Sequence, residues 1–157
     1  YNPEEIKQII KRSANILGVF LDKTAAEIIA DRSRFTPRTA NYLLKRARDY
    51  AQINKKNIDE EVVNEAFNLL GIDGAGLNAS DRALLETIAK KFAGGPVGLS
   101  TLAASLSEEE ATIEEFNEPY LLQIGFIERT PRGRTLTKHA YNHLGLDFPE
   151  ERQEKLL

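Results

Sequence analysis

Residues 125–137 read GFIERTPRGRTLT. Two short runs of strand character, one around Ile127 and one around Leu136, flank a tip of Pro131, Arg132 and Gly133. A strand, a Pro/Gly tip and a second strand make a β-hairpin. Arg129 and Arg134 stand on either side of the tip. No acidic residue falls between Glu128 and Asp147, although the chain as a whole carries a formal charge of −3. The hairpin is therefore a basic projection on an acidic chain.

The residues before the hairpin decide what kind of fold carries it. Asn78 or Ser80 opens a helix through Phe92, with Leu84, Leu85, Ile88 and Ala89 inward. Gly94, Gly95 and Pro96 break it. Val97 to Leu99 is long enough only for a short strand, after which Ser100 caps a brief helix over TLAASL. Thr112 and Glu115 have the spacing of a capping box leading into IEEFNEPYLLQIG, where Ile113, Phe116, Tyr120, Leu121 and Ile124 share one side. Pro119 should kink or restart that helix, Gly125 ends it, and KHAYNHLG closes the chain with a helical turn or two. Helix, short strand, helix, helix, strand, turn, strand is the order of a winged helix, and the hairpin is its wing.

The third helix of such a fold is the usual reader of the major groove. Here that helix and its entry carry Glu108, Glu109, Glu110, Glu114, Glu115 and Glu118, and six carboxylates beside phosphates repel. The expected contact with nucleic acid is therefore the wing, through Arg129, Arg132 and Arg134. Charge placement agrees: residues 1–75 carry 12 Lys+Arg against 11 Asp+Glu, and residues 76–157 carry 9 against 13. That excludes a polybasic coat and requires a local contact.

The first half reads as four helices without a credible strand. Pro3 suits a first helical position, Glu4 and Glu5 suit the positive end of its dipole, and Ile6, Ile9, Ile10 and Leu17 recur near helical spacing until Gly18. Asp22 caps a second helix through Asp31 that buries Ala25, Ile28 and Ile29. Thr36 and Pro37 start a third with a stripe of Ala40, Leu43, Leu44, Ala47 and Ala51. Asp59 caps a fourth, EEVVNEAFNLLG. Short loops between amphipathic helices make a small bundle. The run GIDGAGLNAS, residues 71–80, has three glycines and little to bury, and is the natural boundary.

Composition bounds the rest. The 157 residues are 41% hydrophobic and 29% charged, with no Cys and no Met. Without Cys there are no disulfides and no thiolate metal ligands, which agrees with a cytoplasmic setting. A chain that starts at Tyr1 and lacks Met is expected to be a piece of something longer. No apolar run approaches the ~18 residues of a membrane span. His139 and His143, four residues apart on one helix face, lack a third ligand nearby, so packing is the expectation and a metal site is not.

TPRTANYLLKRARDYA, DRALLETIAKKFAGGPVGLSTLAASLSEE, TIEEFNEPYLLQIGFIERTPRGRTLT and AYNHLG together resemble the carboxyl-terminal two-thirds of the RuvB family, hexameric ATPases that drive Holliday-junction branch migration. The resemblance implies a mainly α chain: a helical AAA+ lid at 1–75, a winged-helix head at 76–148 and a tail at 149–157. It implies that ATP or ADP with Mg2+ binds mostly to a large domain absent here; no G-x-x-x-x-G-K-[ST] occurs, so no catalytic residue is expected in this chain. Carried over, Arg38 is the sensor arginine of the TPR motif, Tyr1 lies against the nucleotide, and the RTPRGR wing contacts DNA through Arg129, Arg132 and Arg134. Phe35 stands where relatives commonly carry glycine, and Glu110 where they often carry a basic residue. RuvA and RuvC are the implied partners, alongside other copies of the chain. The alternatives are a non-motor winged-helix module of an initiator or regulator, which would footprint a specific site, and a protein-docking module using the acidic helix.

Overall fold

The computed structural model describes residues 1–150, which fall into two compact units, Tyr1–Asn78 and a second beginning at Ala79. Each unit has its own core.

In the first unit, α1 (Pro3–Leu17), α2 (Lys23–Asp31), α3 (Pro37–Ile53) and α4 (Glu60–Leu69) form a bundle. Local chemistry fixes where each begins. Asp22, Thr36 and Asp59 cap α2, α3 and α4 with their side-chain oxygens. Asn2 adds a cap that the Pro3 reading lacked: its side chain accepts from the Glu5 N–H at 2.9 Å while Glu5 accepts from the Asn2 N–H at 2.9 Å. This reciprocal box satisfies two of the free N–H groups at the helix start. Ile6, Ile10, Ile29, Leu43, Leu44 and Phe67 are fully buried between the helices, whereas Ile9, Leu17 and Ile28 lie at the edge of the core. Two polar ties cross the bundle, Ser13 to Asn41 at 2.6 Å and Tyr50 to Glu65. The glycine-rich run is more ordered than its composition suggests. The Asp73 carboxylate accepts from the N–H groups of Ala75 and Leu77, each at 3.0 Å, and Leu77 is fully buried.

The second unit contains α5 (Ala79–Lys91), α6 (Leu99–Leu106), the single turn α7 (Glu110–Thr112), a π-helical turn over Ile113–Asn117, α8 (Glu118–Gln123), β1 (Ile127–Thr130), β2 (Gly133–Leu136) and α9 (Lys138–Leu144). Leu84, Leu85, Ile88, Leu102, Ile113, Leu121, Ile127 and Leu136 make its core. The strands pair antiparallel with Ile127 opposite Leu136 and Arg129 opposite Arg134. The short strand expected at Val97 to Leu99 is a single bridging residue: Val97 donates to the Arg134 carbonyl at 3.0 Å and accepts from its N–H at 2.7 Å. Gly94 accepts from the Leu136 N–H at 2.9 Å. The GGP segment is thus the backing of the wing.

Three sequence expectations fail here, each for a physical reason. Ser100 does not cap α6; the helix starts at Leu99, and the capping position is Gly98, which makes no side-chain hydrogen bond. The chain enters α6 straight from the bridge at Val97, leaving no turn for Ser100 to close. Thr112 and Glu115 form no capping box, because the helix has already begun at Glu110 and Thr112 is helical. Phe116 faces out, 70% exposed, while Asn117 is buried. Proline lacks an N–H and its ring crowds the carbonyl four residues back, and before Pro119 the helix widens into the π turn. In any helix a step of four from Ile113 returns closer to the inward face than a step of three, so the buried position is Asn117 and not Phe116. Asn117 then donates to the buried Asp81 at 2.8 Å and to Ser80 at 3.2 Å.

At the end of the expected head, Phe148 packs edge-on against Tyr141 with ring centroids 5.4 Å apart; of the expected tail, residues 151–157 lie outside the described part of the chain.

Candidate nucleic-acid interface

The period-two alternation of a strand places residues 127 and 129 on one face. Ile127 and Leu136 are buried at the root of the wing, so Arg129 and Arg134, the next pair toward the tip, turn the same way. They meet Glu118, the first residue of α8, whose side chain is 0% exposed. Arg129 donates from Nε to Glu118 Oε2 at 3.0 Å and again from Nη2. Arg134 donates from Nε to Oε1 at 2.6 Å and from Nη2 to Oε2 at 3.4 Å, and Glu114 stands 3.7 Å from the same Nη2. The hydrogen bond to Glu118, and then its charge, push the Arg129 guanidinium above its ordinary value.

A carboxylate without solvent is costly unless fully paired, and removing one partner of such a pair typically costs about 3–5 kcal/mol. Two guanidinium groups occupying both oxygens meet that condition. The expectation that six carboxylates line the reading helix is corrected accordingly. Glu118 is internal and compensated, Glu114 lies against Arg134, and Glu108, Glu109, Glu110 and Glu115 remain exposed.

The three wing arginines are thus unlike one another. Arg132 sits exposed at the tip, and among the described residues its guanidinium has no partner; its N–H is held by Thr130 Oγ1 at 3.2 Å, which in turn donates to the Gly133 carbonyl at 2.9 Å. Arg129 has a half-exposed side chain, and Arg134 is 15% exposed. Sequence reading missed Glu118 as their counter-ion. The signal was the alternation itself, which turns Arg129 and Arg134 inward once Ile127 is taken as core. His139 and His143 pack on the Phe126 ring at 4.9 and 5.1 Å.

In the first unit, Arg38 is the second residue of α3. It is exposed, and among the described residues its side chain makes neither an ion pair nor a hydrogen bond, so pairing with Asp31 or Asp22 does not occur. Phe35, just before the cap, has φ +58°, the left-handed region where a side chain costs about 1–2 kcal/mol; a glycine there would be unstrained. Tyr1 is 72% exposed beside a shallow cavity lined by Glu5, Gln8, Ile9 and Arg12. Arg38 does not line that cavity.

A capped helical bundle followed by a winged helix matches known proteins in that order. Residues 1–73 correspond to the RuvB AAA lid domain and residues 74–145 to the RuvB C-terminal winged helix domain, which makes the chain an AAA+ lid joined to a winged-helix head. It is 53% identical over 152 residues to the Holliday junction branch migration complex subunit RuvB of Ligilactobacillus salivarius, covering 96% of this chain and 45% of that one. The solved structure of the Thermotoga maritima RuvB Holliday junction branch migration motor superposes with a TM-score of 0.92 at 49% identity, over 95% of this chain and 50% of that one. A point mutant of the same protein gives the same values. The chain belongs to the RuvB family. It spans about half the length of the relatives it matches.

Proposed function

We propose that the chain is the lid and DNA-gripping head of an ATP-driven motor that moves Holliday junctions, working in the cytoplasm as a ring of identical subunits. The observation that carries this reading is the wing: an exposed arginine at the tip of a hairpin braced from behind, in a chain made of two consecutive RuvB domains. Nucleotide and Mg2+ bind mainly through a part of the protein outside this sequence. Arg38 serves as the phosphate sensor, its guanidinium, unpaired among the described residues, standing in the first turn of α3 where the helix dipole also favours an anion. Tyr1 packs against the nucleotide. The lid responds to the nucleotide, and the head carries that response to the DNA backbone. RuvA and RuvC are partners of the assembled complex; no surface of this chain is assigned to either.

Contacts with phosphate carry no sequence information, so binding is independent of sequence. With Arg132 and the outer edge of Arg129 available, one head neutralises about two phosphates, for a salt slope near −2 at ~0.9 per phosphate. Such a grip is weak alone and suits a stepping ring that supplies avidity. The test is fluorescence anisotropy of a random-sequence duplex titrated with the chain across a salt series. Arg132→Ala should weaken binding and reduce the slope by ~0.9. An unchanged slope removes the wing from the interface, and a footprint on one sequence favours a regulator over a motor.

A further inference from the structure

We propose that Glu118 is the positioning residue of the wing: from inside the head it orients Arg129 toward phosphate, while Arg134 acts as its buried counter-ion. This rests on the DNA reading above.

The geometry separates the roles of the two arginines. Glu118 takes the Nε and Nη2 edge of Arg129, and among the described residues Nη1 of Arg129 has no protein partner. With a side chain 51% exposed, that outer edge is the one a phosphate can reach. A guanidinium carries five N–H donors in a rigid fork, so holding its inner edge fixes the direction of the outer one. Arg134 is placed differently. Its backbone is locked on both sides, to Val97 and to Arg129 across the hairpin, its side chain is 15% exposed, and Glu114 approaches it from one turn earlier in the helix. Arg134 therefore spends its charge inside the domain. Glu118 and Glu114 together balance Arg129 and Arg134, so the cluster is neutral as a whole, and what it offers phosphate is the outer edge of Arg129 held in a fixed direction. Glu118 itself is fixed by its place in the chain. It follows Asn117, which is hydrogen-bonded to Asp81, and precedes Pro119, so the helix and the wing move as one piece.

Two variants of the 157-residue chain separate positioning from charge. Glu118→Gln removes a negative charge from a DNA-binding domain, so charge alone calls for tighter binding. Positioning calls for weaker binding, about fivefold, the loss expected for one ordinary hydrogen bond. The double variant Glu118→Gln with Arg134→Gln keeps the net charge of the chain and removes the guanidinium that the single change leaves without Glu118, so it carries the test where the single variant does not fold. Charge alone calls for parental affinity, and positioning for the same fivefold loss. Amide spectra establish folding, and the Arg129 Nε–H resonance in the free chain reports its order: sharp and slowly exchanging in the parent, broadened in both variants. A folded variant that binds as tightly as the parent overturns the proposal. If the parent shows no salt-sensitive binding, the DNA reading has failed instead, and an Arg129 resonance that stays sharp without Glu118 rejects the orienting role independently of DNA.

Discussion

Gly133 and Gly95 lie on opposite sides of the seam where the wing meets the segment behind it. A Cβ on Gly133 would lie 2.3 Å from the Val97 carbonyl oxygen, and one on Gly95 would lie 2.3 Å from that of Arg134. Both residues also hold positive φ, +131° and +88°. Backbone on both sides leaves nothing flexible to yield, so Gly133→Ala should lower stability by roughly 3 kcal/mol or more, the sum of a strained conformation and a clash. Gly125→Ala, at φ +75° with nothing within 4 Å, should lose only about 1 kcal/mol. Urea melts of the two variants measure the difference, and equal losses would mean that the seam relaxes. The glycines of the wing were legible as turn residues. That one of them also makes room for the bridging residue Val97 was not, because Val97 is 36 positions away in the chain.

Among the elements, the starts of the helices divide into those decided locally and those decided by distant contacts. Asp22, Thr36 and Asp59 cap where sequence places them because a cap needs only a side chain and an N–H two or three residues on. Ser100 and Thr112 have the same local signal, but pairing at Val97 brings the chain into α6 before Ser100, and the helix that holds Thr112 has already begun at Glu110. The candidate site was legible to the same degree. The hairpin and its arginines stand out in the sequence, while the inward turn of Arg129 and Arg134 depends on which face of the strand is buried. The contact between α3 and α4 yields a pH prediction. The Tyr50 hydroxyl donates to Glu65, and this hydrogen bond, followed by desolvation, raises the phenol above its ordinary value of 10.0. A group that holds its proton more tightly when folded stabilises the fold fully below its unfolded value and loses that contribution as pH rises through the folded one. Thermal melts from about pH 9 upward should therefore fall more steeply for the parent than for Tyr50→Phe. Parallel curves would show that the tie contributes nothing.

At the scale of the whole chain, two cores imply two folding units. Residues 1–78 and 79–157, produced separately, should each melt cooperatively, and duplex binding should follow the second piece alone. Loss of structure in either piece on separation would show that its core needs the other. The winged-helix order was visible from the alternation of breakers and apolar runs. In the helix before the wing, two adjacent residues ahead of Pro119 hold different neighbours. Asn117 is bound to Asp81 of α5, and Glu118 to both arginines of the wing. A pull on the hairpin is therefore passed to α5 across a single peptide unit, and the load path through the head is as short as a chain allows.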